Sequence, residues 1–192
     1  MKYLPLCLLA IMPAVAAPGA GVTPAAAGSF TDPNPQIDRG KFMEETRAAM
    51  AMRETRRVTW DAFVRMSRDP ATVLLDARNP DKFRLLHIKG AKNLDFTLFT
   101  EGELAKVIPT KTTRVLIYYN NNFVDNSPAT REAVPAKTVA FSLNLSTFSS
   151  LYGYGYRNVY ELGPVIDPNT ESAHMAGTLI GPDGKIAVPA GK

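Results

Sequence analysis

The chain has 192 residues, 45% hydrophobic and 21% charged, which suits one globular domain with a real core plus extensions. Its net charge of +4 is mild and the basic residues are scattered. With no Lys/Arg block and no interleaving of basic and aromatic residues, nucleic acid is excluded as an expected partner.

Residues 1–16 read as an export signal. Lys2 supplies the positive start, Leu4 to Val15 an apolar stretch, and Ala14-Val15-Ala16 a small-x-small cleavage site before Ala17. Pro5 and Pro13 interrupt the apolar run, which is too short for a membrane span. A lipoprotein reading through Cys7 fails, because too few residues precede it and bulky Leu6 stands directly before it. The expected location is therefore periplasmic or secreted. Cys7 is the only cysteine, so the chain beyond the signal can form no disulfide, thiolate nucleophile or persulfide.

Residues 17–38, rich in Ala, Gly and Pro, read as a flexible tether. Residues 39–57 carry dense charge and helix formers, which predicts a helix on the outside of the domain, with a partly solvated linker as the alternative. Residues 58–168 are expected to hold the domain itself. Thr59 is an N-cap for a helix from Trp60 to Met66 with Trp60, Phe63, Val64 and Met66 inward. Thr72 to Asp76 is a short buried strand, and Asn79-Pro80 opens a helical turn. His87 to Leu94 reads as a further strand, and Glu101 to Val107 as a helix closed by Pro109.

Arg114 to Tyr119 predicts another buried strand, which breaks into Asn120-Asn121-Asn122, residues prone to turns. Ser127-Pro128 starts one helical turn that Pro135 stops. Lys137 to Tyr152 is expected to be the longest helix, with Val139, Leu143, Phe148 and Leu151 on one face, released by Gly153 and Gly155. Asn158 to Leu162 is the last strand of the series. Strands alternating with helices imply an α/β domain with parallel pairing. In residues 169–192, Thr178-Leu179-Ile180 and Lys185 to Val188 flank Gly181-Pro182-Asp183-Gly184, which predicts a terminal hairpin.

Three pieces together identify a family. Leu75-Asp76-Ala77-Arg78, Phe83, and His87-Ile88-Lys89-Gly90-Ala91-Lys92-Asn93-Leu94 resemble the N-terminal motif pair of rhodanese-like (thiosulfate sulfurtransferase) domains. Gly155 to Leu162 is similar to the segment that closes them, so the resemblance spans about Val58 to Asp167. It implies a five-stranded parallel sheet with helices on both faces. It also implies that the strand through Val115–Tyr118 ends at a catalytic cysteine, in a loop whose backbone N–H groups converge on sulfur. Such dipoles bind anions and lower a thiol pKa.

The expected cysteine position holds Tyr119; some exported bacterial members are similar in reading Tyr-Cys-Asn-Asn-Asn-Phe here. A phenol ionises near pH 10 and has no redox sulfur, so it carries no persulfide. A stretch around Val124–Ala136 reads as an insertion relative to the family, and Asp125 adds negative charge beside the loop.

The site expected from the sequence has no catalytic nucleophile. Tyr119, Asn120, Asn121, Asn122, Phe123 and Val124 form the loop, either as a residual anion cradle or as a plain tight turn, with Tyr119 read as packing bulk or else as a hydrogen-bonding group of a binding pocket. Asp76 and Arg78 are expected to bracket it as an ion pair, and His87 to pin its own loop. With His174 isolated, two histidines and no further cysteine predict neither metal nor cofactor. Three functions follow: a non-catalytic binding or scaffold module with a protein partner, a sulfurtransferase-related enzyme of the family, or a small-oxyanion-binding protein.

Overall fold

Five short strands build the centre, the three inner ones largely buried and the two edge ones partly exposed. In the computed structural model, which describes residues 33–124 and 127–187, these are β1 (Arg57–Val58), β2 (Thr72–Asp76), β4 (Lys92–Asn93), β5 (Arg114–Tyr118) and β6 (Val159–Leu162). They form one sheet in the order β1-β6-β5-β2-β4, and every pairing is parallel. The expected export signal and most of the tether lie outside the described residues, as do Asp125 and Val188. From Asp38 onward the chain forms one compact unit.

Alternation along the strands divides the core in two. Val73 and Leu75 of β2 and Val115 and Ile117 of β5 face one layer, with Ala49, Leu104, Phe148 and Leu151. These come from helices α1 (Arg39–Arg53), α4 (Glu101–Val107) and α6 (Leu143–Gly153). Leu74, Leu116 and Tyr118 face the other layer, with Phe63 and Ala133 from α2 (Trp60–Ser67) and α5 (Pro128–Ala133). The short α3 (Pro80–Leu85) starts on Asn79, whose side chain accepts from Lys82 N–H. The caps read from sequence are in place: Thr59, Asn79 and Ser127 each accept from a backbone N–H of the first turn.

Three expectations need correction. The helix read over residues 39–57 ends at Arg53, because Arg57 and Val58 leave it to pair with Glu161 and Leu162 as an edge strand. It lies on the outside of the domain as expected, and it is anchored rather than a linker: Ala49 is fully buried and Arg53 forms an ion pair with Glu161 of β6. The single strand read over residues 87–94 is two, split at Gly90, whose φ of 87° turns the chain. β3 (His87–Ile88) pairs antiparallel with β7 (Met175–Ala176), away from the main sheet.

The helix read from Lys137 begins only at Leu143 and is shorter than α1. Side chains of Asn120 and Asn121 hold Pro135 O and Lys137 O, so the preceding segment runs extended into a 3-10 turn, Val139–Phe141. Val139 and Phe141 are 82% and 84% exposed, off the core face expected for Val139. The expected terminal hairpin closes by an antiparallel bridge, Ile180 to Ile186, with Gly181 N–H donating to Lys185 O and Ala187 N–H to Leu179 O, around a turn in which Gly184 has φ 74°.

Candidate functional site

Parallel sheets gather their loops at the carboxyl ends of the strands, and here that edge carries the segment after β5. β5 ends at Tyr118, and Tyr119 follows in extended conformation as the N-cap of a 3-10 turn, Asn120–Asn122. The local reason is an interrupted period. Four buried residues, Val115 to Tyr118, are followed after Tyr119 by three amides that satisfy the backbone better in a turn than in a strand.

Beneath the loop lies a buried polar cluster. Because β2 alternates, Asp76 falls on the same face as Leu74 and beside Tyr118, its register partner on β5. Arg78 reaches back with Nε and Nη2, which donate to the Asp76 carboxylate at 2.9 and 2.6 Å. Arg78 also donates to Leu86 O at 2.7 Å and to Ala133 O at 3.2 Å. The Tyr118 hydroxyl donates to Asp76 Oδ2 at 2.5 Å and accepts from Ile88 N–H at 3.1 Å. One ion pair thereby joins β2, β3, β5 and α5.

The electrostatics follow from this burial. The Arg78 guanidinium loses hydration, yet the bonds and charge of Asp76 outweigh the loss and hold its pKa above the ordinary value. Burial, reinforced by Asp76, pushes the Tyr118 phenol well up. Tyr119 is also raised, first by burial, against the pull of Arg78. Both phenols are therefore neutral at ordinary pH. His87 donates from Nδ1 to Phe83 O at 2.7 Å and stacks on the Phe83 ring at 3.9 Å. Burial lowers its pKa.

The loop's own donors are largely engaged. Tyr119 N–H donates to Asn122 Oδ1, Asn122 N–H to Tyr119 O, Phe123 N–H to Asn120 O and Val124 N–H to Ile166 O. Of the six N–H groups from Tyr119 to Val124, those of Asn120 and Asn121 alone have no acceptor among the described residues. The side chains tie the loop outward. Asn122 Nδ2 donates to Leu162 O and Pro164 O, while its Oδ1 also accepts from Asn144 on α6. Three buried amide oxygens, those of Asn120, Asn121 and Asn144, find no donor among the described residues. An anion arriving here would meet these acceptors and an incomplete set of donors, an unfavourable balance.

The structure thus places Asp76, Arg78, Tyr119 and the Asn loop in one region, with His87 on the β3 strand whose Ile88 N–H meets Tyr118. His174 lies elsewhere, its ring edge-on to Trp60. The sequence reading missed Tyr118 and Asn144 as members of the network. Tyr118 passed for core, and Asn144 passed for one of several polar residues in a mixed helical run. Among the described residues no cluster of three His, Cys, Asp or Glu side chains could hold a metal. Nor is any described helix long and apolar enough to cross a membrane.

A family model for the Rhodanese-like domain matches residues 59–162, more than half of the chain. No curated protein matches it.

Proposed function

The chain belongs to the rhodanese-like domain family, and on that premise we propose that it is a non-catalytic binding or scaffold module on a sulfurtransferase frame. One observation carries this reading. Tyr119 stands at the end of β5, where the family resemblance expects the nucleophile, and four of the six N–H groups around it are engaged inside the loop or by Ile166. A neutral phenol held up by burial neither attacks sulfane sulfur nor stores it.

A protein partner fits the surroundings better than an oxyanion. Leu98, Val139, Phe141 and Val165, all exposed, lie on the segments that follow β4, β5 and β6 at the same carboxyl edge. The export signal read in residues 1–16 supports a periplasmic or secreted setting. Amino-terminal sequencing of the exported protein should then begin at Ala17.

The decisive assay is thiocyanate formation from thiosulfate and cyanide. We expect a rate equal to the heat-killed control; turnover above it would overturn the reading. Calorimetric titration with thiosulfate, sulfite and phosphate addresses the oxyanion alternative, which the remaining N–H groups of Asn120 and Asn121 favour. The expected result is no heat for any of the three.

A further inference from the structure

Away from the loop, a cleft of about 340 Å³ opens between α2 and the turn Ser172–His174. Its walls are Trp60, Asp61, Val64, Arg65, Arg68, Glu171 and His174. The residues of α2 among them recur at helical spacing, so they form one face of that helix. The opposite wall comes from the C-terminal extension, fixed in place because His174 O accepts from Lys89 N–H and β7 pairs with β3.

Along α2 the charges on the cleft wall run from acidic to basic. Trp60 and Asp61 open α2, and the His174 ring stands edge-on to the Trp60 indole at 5.6 Å. Glu171, whose carbonyl accepts from His174 N–H, adds a second carboxylate from that turn. Arg65 and Arg68 lie farther along α2, and Arg68 is its C-cap. No described hydrogen bond or ion pair engages the side chains of Asp61, Arg65, Arg68 or Glu171. Asp61 and Arg65 are even spaced for an i,i+4 pair, yet do not form one.

From this geometry we infer that the cleft binds a short peptide of two or three residues with both termini free. The carboxylate is taken by Arg65 and Arg68, the ammonium by Asp61 and Glu171, and an apolar side chain by Trp60 and Val64. From Asp61 to Arg68 the helix rises about 10 Å, the length of about three extended residues. A guanidinium fork suits a carboxylate in two-point contact. The carboxylates of Asp61 and Glu171 in the cleft wall disfavour a simple anion. The cleft volume is that of a small-ligand site. No residue of the loop after β5 takes part, so this inference stands independently of the function proposed above.

Trp60 is the only tryptophan of the chain, so its emission reports on the cleft directly. The probe is L-alanyl-L-leucine, compared with its C-terminal amide and its N-acetyl derivative. Saturable change in Trp60 emission is expected with the free dipeptide, paralleled by heat in calorimetry. The midpoint should weaken about tenfold or more for the amide, for the N-acetyl form, and in the Arg65→Ala/Arg68→Ala variant. Both arginines are exposed, and circular dichroism verifies that the variant keeps its fold. No saturable signal by either method, an unchanged midpoint in the variant, or equal binding of the N-acetyl form or of phosphate would each overturn the inference.

Discussion

At the residue scale, Tyr119 decides what the loop can do, but it does not act alone. Replacing Tyr119 by Cys places a thiol at the position proposed for the nucleophile without freeing the N–H groups of Asn122, Phe123 and Val124, which their own acceptors hold. The Tyr119→Cys protein should therefore stay inactive toward thiosulfate and cyanide. Its introduced thiol should alkylate with an ordinary pKa of about 8.5. Rapid alkylation at pH 6 would show that the loop still lowers a thiol pKa. His87 gives a second test. Its folded pKa lies below the unfolded value of about 6.5. Neutral His87 thus supports the fold above that pH, and stability falls as pH drops through 6.5 toward the depressed native value. Urea midpoints measured between pH 5 and 7 should show this loss, and His87→Gln should flatten it.

At the element scale, the C-terminal extension is a strap clamped by one glycine. Gly177 has φ 126°, and a Cβ there would lie 2.4 Å from Leu85 O. That carbonyl accepts from Leu179 N–H, and Arg84 O accepts from Thr178 N–H. Gly177→Ala should displace the strap, costing about 1–3 kcal/mol. Amide exchange at Lys89, Thr178 and Leu179 should quicken while β5 stays protected. If those amides keep their protection, the strap tolerates a side chain and the clamp argument fails. The segment before α6 shows the same logic from the opposite side. Polar anchors from Asn120 and Asn121 override helix formers there and leave Val139 and Phe141 in solvent.

At the scale of the molecule, α1 is part of the fold through a long-range ion pair. Arg53 donates through Nε and Nη2 to Glu161 at 2.5 and 2.6 Å, and this bonding raises the Arg53 pKa. Glu161 is buried on β6, so losing the guanidinium leaves a carboxylate without its charge partner. Arg53→Ala should lower stability by about 3 kcal/mol in urea unfolding, and Arg53→Met with Glu161→Gln should recover most of it. Equal losses in the single and double variants would mean that packing, not charge, attaches α1.

What the sequence determined by itself is local or periodic. The runs Thr72–Asp76 and Arg114–Tyr118 announced buried strands, Thr59, Asn79 and Ser127 announced helix starts, and the Asp76-Ala77-Arg78 motif with its partners announced the family. Each depends on neighbours a few residues away, so each is visible in one dimension. Tertiary structure alone decided which distant atoms satisfy which polar groups. It turned Arg57–Val58 into a strand beside β6, joined His87–Ile88 to Met175–Ala176, and drew Asn144 onto Asn122 across the loop. It also engaged the loop's N–H groups with the acceptors they now hold. Backbone donors and acceptors must be paired somewhere once buried, and a sequence does not show which partner will be near enough to do it.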